Sequence, residues 1–360
     1  MKRVVVKLGT GLLSDKGKIN ASVISAISGE IAFLKKKGFQ ILVVSSGAVG
    51  CGMIKLGRPR PKNISDAQML ASVGQPLLMD MWMRAFSKRG ITGAQVLCSA
   101  DDFSDRKKYL NLRRTMLKIL ENGILPVINE NDSVTVDELK FGDNDRLSAL
   151  TASHIEASDL VILTNVQGLY VDGKLVGELK NIGEAELKSA GPAGKFGTGG
   201  MRSKLLAAKI TRLAGCRLTI ASGKTRGILK KILIDKKNPG TLILPSGHIK
   251  NRKRWLAFGS ICRASIIVDI GAYNAIAKNG RSLLAAGITG AEGVFAKGDA
   301  VNIVYGQKSF ARGIVNYSDS EVRKIQGCQS PGISKLLKRD GDPEVINRDN
   351  LVLINGDGPL

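Results

Sequence analysis

The amino terminus carries Val4-Val5-Val6-Lys7-Leu8-Gly9-Thr10-Gly11, a short apolar run that closes on a lysine and two glycines. An apolar run without polar alternation is typical of a strand buried on both faces of a parallel sheet. Glycines directly after a strand let the backbone approach a phosphate, and a nearby lysine can neutralise its charge. The segment therefore predicts a buried strand with an anion-binding turn. An ordinary turn with a surface lysine is the alternative for this segment alone.

The same kind of apolar run recurs at intervals up to about residue 235. Strands are predicted at residues 3–8, 40–45, 94–97, 124–128, 159–163 and 217–221, and amphipathic helices near residues 22–37, 66–89, 106–122, 145–157 and 200–214. Strands that alternate with helices in this way form a mostly parallel sheet covered by helices on both faces. The predicted fold class is α/β, a three-layer αβα sandwich whose ligands bind beyond the carboxyl ends of the strands.

The pattern changes after residue 240. A turn is predicted at Asn238-Pro239-Gly240, and residues 251–259 are predicted to form a linker that begins with the charged stretch Asn251-Arg252-Lys253-Arg254. Beyond it, short strand-like runs and closely spaced glycines predict a small, mainly-β module at residues 260–355. The predicted organisation is an α/β domain over residues 1–250, the linker, and this second module.

Cysteine and histidine usage excludes several classes of protein. The five cysteines are dispersed without a C-x-x-C pair, and two histidines are too few for a three-histidine metal site. A disulfide scaffold and a structural zinc site are therefore not indicated, and a nucleophile system based on histidine is not expected. No apolar run approaches the about 18 residues that a membrane-spanning helix needs, and the amino terminus lacks a signal-peptide pattern. A soluble, cytoplasmic protein without membrane association is expected, whose chemistry uses lysine, aspartate, asparagine, serine and backbone amides.

The chain is strongly basic, with 54 Lys+Arg against 31 Asp+Glu and a net charge of +23. Such a charge suits anionic small molecules and also nucleic acid. Only 15 basic and 10 acidic residues lie after residue 250, so most of the excess belongs to the first domain, where it is dispersed. Charge alone does not decide between these two kinds of partner.

Polar and glycine-rich segments follow several predicted strands, at the edge where ligands are expected. They are Lys7-Leu8-Gly9-Thr10, Ser45-Ser46-Gly47-Ala48, Ile128-Asn129-Glu130-Asn131-Asp132, Gly142-Asp143-Asn144-Asp145, Leu163-Thr164-Asn165 and Gly197-Thr198-Gly199-Gly200-Met201-Arg202-Ser203-Lys204. Free amides and a lysine at a helix start suit a phosphate, whereas carboxylates with amides suit an ammonium group or a cation. For a single segment taken alone, a tight turn, a helix cap or a flexible loop is the alternative to ligand binding. The P-loop and Rossmann glycine patterns do not occur.

Taken in this order and spacing across the first 250 residues, these segments resemble the amino-acid kinase family. Within it, the I-N-E-N-D stretch at residues 128–132 and the G-D-N-D stretch at residues 142–145 resemble the glutamate 5-kinases. The stretches Val268-Asp269-Ile270-Gly271-Ala272 and Lys297-Gly298-Asp299-Ala300-Val301 resemble a PUA domain, which many bacterial glutamate 5-kinases carry at the carboxyl terminus. The resemblance implies the amino-acid kinase fold for the first domain and a PUA-like fold for the second.

The resemblance also implies roles for individual residues. The catalytic residues would be Lys7 and Lys204, which contact the transferring phosphoryl group, and Asp145, which orients them. The substrate would be bound by Ser46, Asn129, Asp132 and Asn144. ATP would be bound by Lys7, Gly9, Thr164, Asn165, Thr198, Gly199, Gly200, Met201, Arg202, Ser203 and Lys204. The family carries aspartate where this chain has Asn165, so one carboxylate near the nucleotide is absent here.

The implied activity is ATP-dependent phosphorylation of the γ-carboxylate of L-glutamate, which gives L-glutamyl 5-phosphate in the first step of proline biosynthesis. Mg²⁺ would be held mainly by the ATP phosphates, without a protein metal site. A homo-oligomer, a glutamate-5-phosphate reductase and RNA bound through the PUA-like module are partners that the resemblance leaves open. Two alternatives stand beside this reading: an amino-acid kinase for another small carboxylate, and an RNA-binding protein on a degenerate kinase scaffold.

Overall fold

The computed structural model describes residues 1–15, 18–134, 144–191, 200–246, 264–339 and 341–354, together with Lys253, Trp255, Leu256 and Cys262. The chain divides into two compact units. The larger unit comprises Met1–Asp102 and Lys107–His248, and the smaller comprises Phe103–Arg106 and Ile249–Leu360. The predicted linker at residues 251–259 lies mostly outside the described residues, so the predicted domain bounds stay a prediction.

The described part of the larger unit alternates strands and helices. Its strands are β1 Arg3–Leu8, β2 Ser14–Asp15, β3 Lys18–Ile19, β4 Gln40–Ser45, β5 Gly93–Cys98, β6 Leu125–Glu130, β7 Asp159–Thr164, β8 Tyr170–Val171, β9 Lys174–Leu175, β10 Glu178–Leu179, β11 Arg217–Ser222 and β12 Thr241–Ile243. Its helices are α1 Thr10–Leu13, α2 Ala21–Lys36, α3 Ala48–Leu56, α4 Ile64–Ser87, α5 Arg106–Glu121, α6 Asn144–His154, α7 Glu184–Ser189, α8 Met201–Leu213 and α9 Ile228–Leu233.

The central sheet has the strand order β10-β12-β11-β7-β1-β4-β6-β5. The six strands from β11 to β5 are parallel to their neighbours, and only β12 pairs antiparallel to β11. Strand β1 lies between β4 and β7, with Lys7 opposite Val44 on one side and Ile162 on the other. The predicted mostly parallel sheet is confirmed, and its carboxyl ends meet at one edge.

Helices cover both faces of this sheet. Val4, Val6 and Leu8 belong to a hydrophobic core that also contains buried residues of α2, α3, α4 and α9. Because successive side chains of a strand alternate between faces, Val5 is directed to the other face, where α6 packs against β1, β4, β6 and β7. The three-layer αβα architecture predicted from the sequence is therefore confirmed.

Helix α3 is not among the predicted helices. The segment after β4 is interpreted as an anion-binding helix start or a tight turn, and Gly50 and Gly52 are poor helix formers. The structure shows why glycine is present. A Cβ atom at Gly52 would overlap the backbone of Leu70 in α4, and a Cβ atom at Gly74 would overlap the carbonyl oxygen of Ala48 in α3. The two helices are thus in backbone contact, and packing between them outweighs the low helix propensity of the glycines.

We expect Gly74→Ala to lower the free energy of unfolding by about 3 kcal/mol, because the added methyl group has no room between two backbones. Urea denaturation of the purified variant measures this effect. Gly50→Ala is the matched control, since no heavy atom lies within 4 Å of a Cβ at that position, and its stability should equal or slightly exceed that of the parent. Equal stability of the two variants would contradict the backbone contact.

The smaller unit contains a separate sheet with a core of its own. Its strands are β13 Ser265–Val268, β14 Ile288–Glu292, β15 Ala300–Tyr305, β16 Lys308–Ile314 and β17 Leu351–Leu353, and its helices are α10 Ile270–Ala277, α11 Asp319–Ile325 and α12 Ser330–Leu337. The strand order is β14-β13-β15-β16-β17, and β13 and β15 are parallel. The predicted mainly-β module is confirmed, and within the described residues 264–354 three short helices accompany its sheet. In the described ranges of the chain, no helix has the length and apolar character to cross a membrane.

Candidate active site

Lys7 lies next to the carboxyl end of β1, in the middle of the sheet. Strand β1 is buried from Val4 to Leu8, so the strand itself holds the lysine inside the protein, and only 3% of Lys7 is exposed. The amide of Gly9 donates a hydrogen bond to the carbonyl oxygen of Leu163 at 3.1 Å, which ties the turn after β1 to the end of β7. Lys7 is therefore a fixed positive charge at the ligand-binding edge of the sheet.

Asp145 brings two lysines together. It lies in the first turn of α6 and is fully buried. Its Oδ1 atom lies 2.6 Å from Nζ of Lys7, and its Oδ2 atom lies 3.0 Å from Nζ of Lys204. The hydroxyl of Ser203 also donates to Oδ2, at 2.6 Å. Burial would raise the pKa of Asp145, but the two lysines outweigh it and lower this pKa to about 2.

Lys204 reaches this carboxylate from the first turn of α8, whose N-cap residue is Gly200. Its side chain is 6% exposed, and Nζ lies 3.4 Å from the carbonyl oxygen of Gly200. The N-terminus of a helix carries partial positive charge and attracts anions. Counting the described residues, one carboxylate lies between two ammonium groups in a buried place, an arrangement that suits an anionic ligand.

Ser46, Asn129 and Asn144 form a second group beside the first. All three are buried. The Nδ2 atom of Asn144 donates to Oγ of Ser46 and to Oδ1 of Asn129, each at 3.0 Å. Ser46 follows β4, Asn129 lies in β6, and Asn144 begins α6 beside Asp145. The group therefore extends along the sheet edge from the two lysines toward β6, and it presents neutral hydrogen-bonding atoms.

Asp132 follows β6 and differs electrostatically from Asp145. Burial raises the pKa of its carboxyl group to about 6. An ionised carboxylate in such an environment gains from a cationic ligand, so this residue is suited to an ammonium group. The following residues 135–143, which include Gly142 and Asp143, lie outside the described residues.

A cavity of about 360 Å³ lies beside Lys204. The predicted ATP-binding residues that line it are Thr164, Asn165, Gly200, Met201 and Lys204. Arg202 is exposed on α8, and the hydroxyl of Ser203 donates a hydrogen bond to Asp145. Thr198 and Gly199 lie outside the described residues. At the carboxyl end of β7, the hydroxyl of Thr164 donates a hydrogen bond to Oδ1 of Asn165 at 3.2 Å. The amide of Asn165 is at the position where the family carries a carboxylate.

Several residues of the site were not predicted. The cavity is also lined by Leu169, Tyr170 and Ser189, and Gln75 of α4 is joined to the amide group through Asn129. Leu169 and Tyr170 belong to a polar strand-to-turn segment, and this pattern could have indicated that they line a ligand site. Ser189, at the end of α7, and Gln75, within the long helix α4, carry no local pattern that distinguishes them from other helical residues.

In comparisons with known proteins, two family models match two separate parts of the chain. A family model described as the amino acid kinase family matches residues 2–222, and a PUA domain model matches residues 264–337. This chain is similar to proteins named glutamate 5-kinase. Its sequence identity is 42% to the protein from Thermoanaerobacter sp., 44% to that from Dehalococcoides mccartyi and 42% to that from Gloeobacter violaceus. The alignments cover 98%, 98% and 99% of this chain, and 98%, 98% and 100% of those proteins. A crystal structure of UMP kinase from Bacillus anthracis is 15% identical, with a TM-score of 0.48, over 68% of this chain and 96% of that one.

Proposed function

This chain belongs to the amino acid kinase family, in its glutamate 5-kinase branch, and from that premise we propose that it transfers the γ-phosphoryl group of ATP to the γ-carboxylate of L-glutamate. The product would be L-glutamyl 5-phosphate, the first intermediate toward proline. The observation that carries this proposal is the buried Lys7–Asp145–Lys204 ion triplet, which lies between a cavity of about 360 Å³ and a group of amides suited to an amino acid.

The two lysines supply what the reaction needs most. Transfer brings a carboxylate toward a triphosphate, and negative charge spreads over the equatorial oxygens of the phosphoryl group. Preorganised positive charges stabilise that distribution without reorganising during the reaction. Asp145 holds both ammonium groups in place, since each of its oxygens lies within 3.0 Å of one of them. The residues Lys7 and Lys204 are therefore proposed to be catalytic, with Asp145 as the positioning residue.

No general base is needed in this scheme. The γ-carboxylate of glutamate has a pKa of about 4.3 and is ionised at neutral pH. One of its oxygens attacks the γ-phosphorus of ATP, the bond to the β–γ bridging oxygen breaks, and ADP leaves with that electron pair. Positioning and electrostatic stabilisation then account for the rate. The buried His154 has its pKa lowered to about 3 by burial and by Arg113, so it would remain neutral at physiological pH.

The cavity beside Lys204 is the proposed ATP site. Asn165 and Thr164 would contact the nucleotide from the end of β7, and Gly200 and Met201 from the start of α8. Both oxygens of Asp145 contact a lysine or a serine, so among the described residues the polar groups of the triplet and its neighbours Ser203 and Asn144 are mainly ammonium, amide and hydroxyl groups. That donor set fits a Mg²⁺ ion carried by the phosphates of ATP, where it would neutralise charge on the β- and γ-oxygens.

The substrate would lie along the sheet edge. Its γ-carboxylate would face Lys7 and Lys204, and its α-carbon end would face Ser46, Asn129, Asn144 and Asp132. In the described part of the chain, the Oδ1 atom of Asn144 is buried without a hydrogen-bond partner. A buried acceptor of this kind gains from a bound donor, and the α-ammonium group of an amino acid is such a donor.

Two other functions were considered, and observations weigh against both. Relatives named glutamate 5-kinase match over 98% of the chain, which favours glutamate over another small carboxylate. The ion triplet has short contacts and full burial, which argues against a degenerate kinase scaffold that only binds RNA. The test is ADP formation with ATP, Mg²⁺ and a panel of L-glutamate, L-aspartate, N-acetyl-L-glutamate and UMP. Glutamate is expected to give the highest kcat/KM by at least about 10²-fold; preference for another acceptor would contradict the proposal.

The raised pKa of Asp132 predicts a pH dependence. Its carboxylate must be ionised to bind the ammonium group, so kcat/KM for glutamate is expected to fall about tenfold per pH unit below about pH 6. The γ-carboxylate of glutamate is still largely ionised in that range. Steady-state kinetics between pH 5 and pH 7.5 measure the profile, with kcat/KM for ATP expected to change much less.

Asp132→Asn is the control for this profile. It should have a low kcat/KM for glutamate that no longer changes between about pH 5 and pH 7, because the titrating group has been removed. A variant that retains the fall below pH 6 would show that another group titrates.

Location and partners follow from the same proposal. None of the described cysteines, at positions 51, 98, 216, 262 and 328, forms a disulfide, which supports a reducing, cytoplasmic location. An acyl phosphate is reactive toward water, so a partner enzyme that consumes it promptly would be favourable. From the family resemblance, the proposed partner is a glutamate-5-phosphate reductase. Homo-oligomer formation and RNA binding by the PUA domain are further proposals that rest on family resemblance.

A further inference from the structure

Gln75 completes the group of amides at the substrate end of the site. It lies on α4, directly after Gly74, whose backbone contacts α3. Its Oε1 atom accepts a hydrogen bond from Nδ2 of Asn129 at 2.8 Å. Oδ1 of Asn129 in turn accepts from Nδ2 of Asn144 at 3.0 Å. A continuous chain of hydrogen bonds therefore links Gln75 to two of the residues proposed to bind glutamate.

This chain of bonds fixes which end of the Gln75 amide is left for a ligand. Because Oε1 accepts from Asn129, the Nε2 donor is directed elsewhere. Nε2 is buried, and among the residues that the structure describes it has no hydrogen-bond partner. A buried donor without a partner is energetically costly for the protein. Such a cost is removed when a bound substrate supplies an acceptor.

The position of Gln75 indicates which acceptor it meets. In the sheet order, β4 lies between β1, which carries Lys7, and β6, which carries Asn129. Neighbouring strands lie about 4.8 Å apart, so Asn129 is about 10 Å from the strand of Lys7. The two carboxyl groups of extended glutamate are several ångströms apart, so a molecule whose γ-carboxylate meets Lys7 directs its other carboxylate toward the Asn129 side.

We propose that Nε2 of Gln75 donates a hydrogen bond to the α-carboxylate of glutamate and thereby contributes to recognition of an α-amino acid. The proposal rests on the proposed function of the site. Oδ1 of Asn144 is the matching acceptor in the same hydrogen-bonded group, so the group offers a donor for the α-carboxylate and an acceptor for the α-ammonium group. Asn129 is then the residue that holds Gln75 in this orientation.

Gln75→Glu tests the proposal, because it keeps an oxygen for Asn129 and replaces only the Nε2 donor with a carboxylate oxygen. The substrates are L-glutamate and L-isoglutamine, in which the α-carboxylate is a carboxamide and the γ-carboxylate is unchanged. In the parent enzyme, kcat/KM for glutamate should exceed that for isoglutamine by at least about tenfold. In Gln75→Glu this ratio should fall at least about 100-fold, since the new carboxylate repels glutamate and can accept from the carboxamide.

Two further variants keep the outcome interpretable. Ser65→Glu adds the same charge to the exposed first turn of α4 and should leave the ratio unchanged. Gln75→Met removes the donor without adding charge and should lower the ratio about tenfold, which decides the question if Gln75→Glu does not fold. The KM for ATP should be the same in all folded variants.

The possible failures are distinct. A parent enzyme that does not phosphorylate glutamate would overturn the proposed function together with this inference. A parent enzyme that phosphorylates glutamate, with the same glutamate-to-isoglutamine ratio in the folded Gln75 variants, would overturn the role of Gln75 alone. A rise in KM for both substrates by the same factor would also overturn it, because a merely structural role would produce that result.

Discussion

Asp145→Asn is expected to lower kcat at least about 10²-fold and to lower the free energy of unfolding by about 3–5 kcal/mol. The fully buried carboxylate lies within 3.0 Å of both Lys7 and Lys204. Asparagine has nearly the same shape, but it leaves two buried ammonium groups without a compensating charge and lets them separate from the transferring group. Steady-state kinetics and urea denaturation of one preparation measure the two effects.

Asp159→Asn is the matched control for Asp145. It also breaks an ion pair, with Oδ1 of Asp159 at 2.6 Å from Arg217, but Asp159 begins β7 at the opposite end of the strands. Its kcat should equal that of the parent. If Asp145→Asn lost stability but retained its kcat, the ion triplet would be structural and the assignment of Asp145 as the positioning residue would be wrong.

The second large effect is expected for Lys204→Ala, with a fall in kcat of at least about 10²-fold and a much smaller change in the KM for glutamate. Lys204 lines the cavity that is proposed to hold ATP and also contacts Asp145, so it lies between the nucleotide and the acceptor. A charge that acts mainly in the transition state affects kcat more than substrate binding.

Arg212→Ala is the control for Lys204. It removes a positive charge from the last turn of the same helix, where Arg212 donates to Asn181 at 3.1 Å. Its kinetics should equal those of the parent. Near-normal kcat in folded Lys204→Ala would remove Lys204 from the mechanism.

The parallel sheet could be predicted from the sequence for a physical reason. Strands buried on both faces are apolar throughout, and β1, β4 and β7 show this pattern directly. Parallel strands bring their carboxyl ends to one edge, so a lysine at the end of β1 and polar residues that open later helices are expected to meet there. That Asp145 orients the two lysines is implied by the family resemblance, and in the structure its two oxygens lie within 3.0 Å of Lys7 and Lys204.

Gln75 and α3 could not be predicted, because each depends on contacts between residues far apart in the chain. Helix α3 exists although it contains two glycines, since those glycines allow backbone contact with α4. Gln75 is distinguished from other helical glutamines only by its hydrogen bond with Asn129, 54 residues away. Periodicity and propensity describe local sequence and contain no information on such pairs.

Phosphoryl transfer from ATP to the γ-carboxylate of glutamate can be tested most directly by following one oxygen atom. If an oxygen of the γ-carboxylate attacks the γ-phosphorus of ATP, that oxygen becomes the bridge of the acyl phosphate. Hydroxylamine then attacks the carbonyl carbon, forms the γ-hydroxamate and expels phosphate that still carries the bridging oxygen. With glutamate labelled with ¹⁸O in its γ-carboxylate, and with ATP and Mg²⁺, mass spectrometry of the released phosphate should find one ¹⁸O atom per molecule. Hydroxamate formation together with phosphate free of ¹⁸O, or phosphate release without hydroxamate, would contradict phosphoryl transfer to the carboxylate.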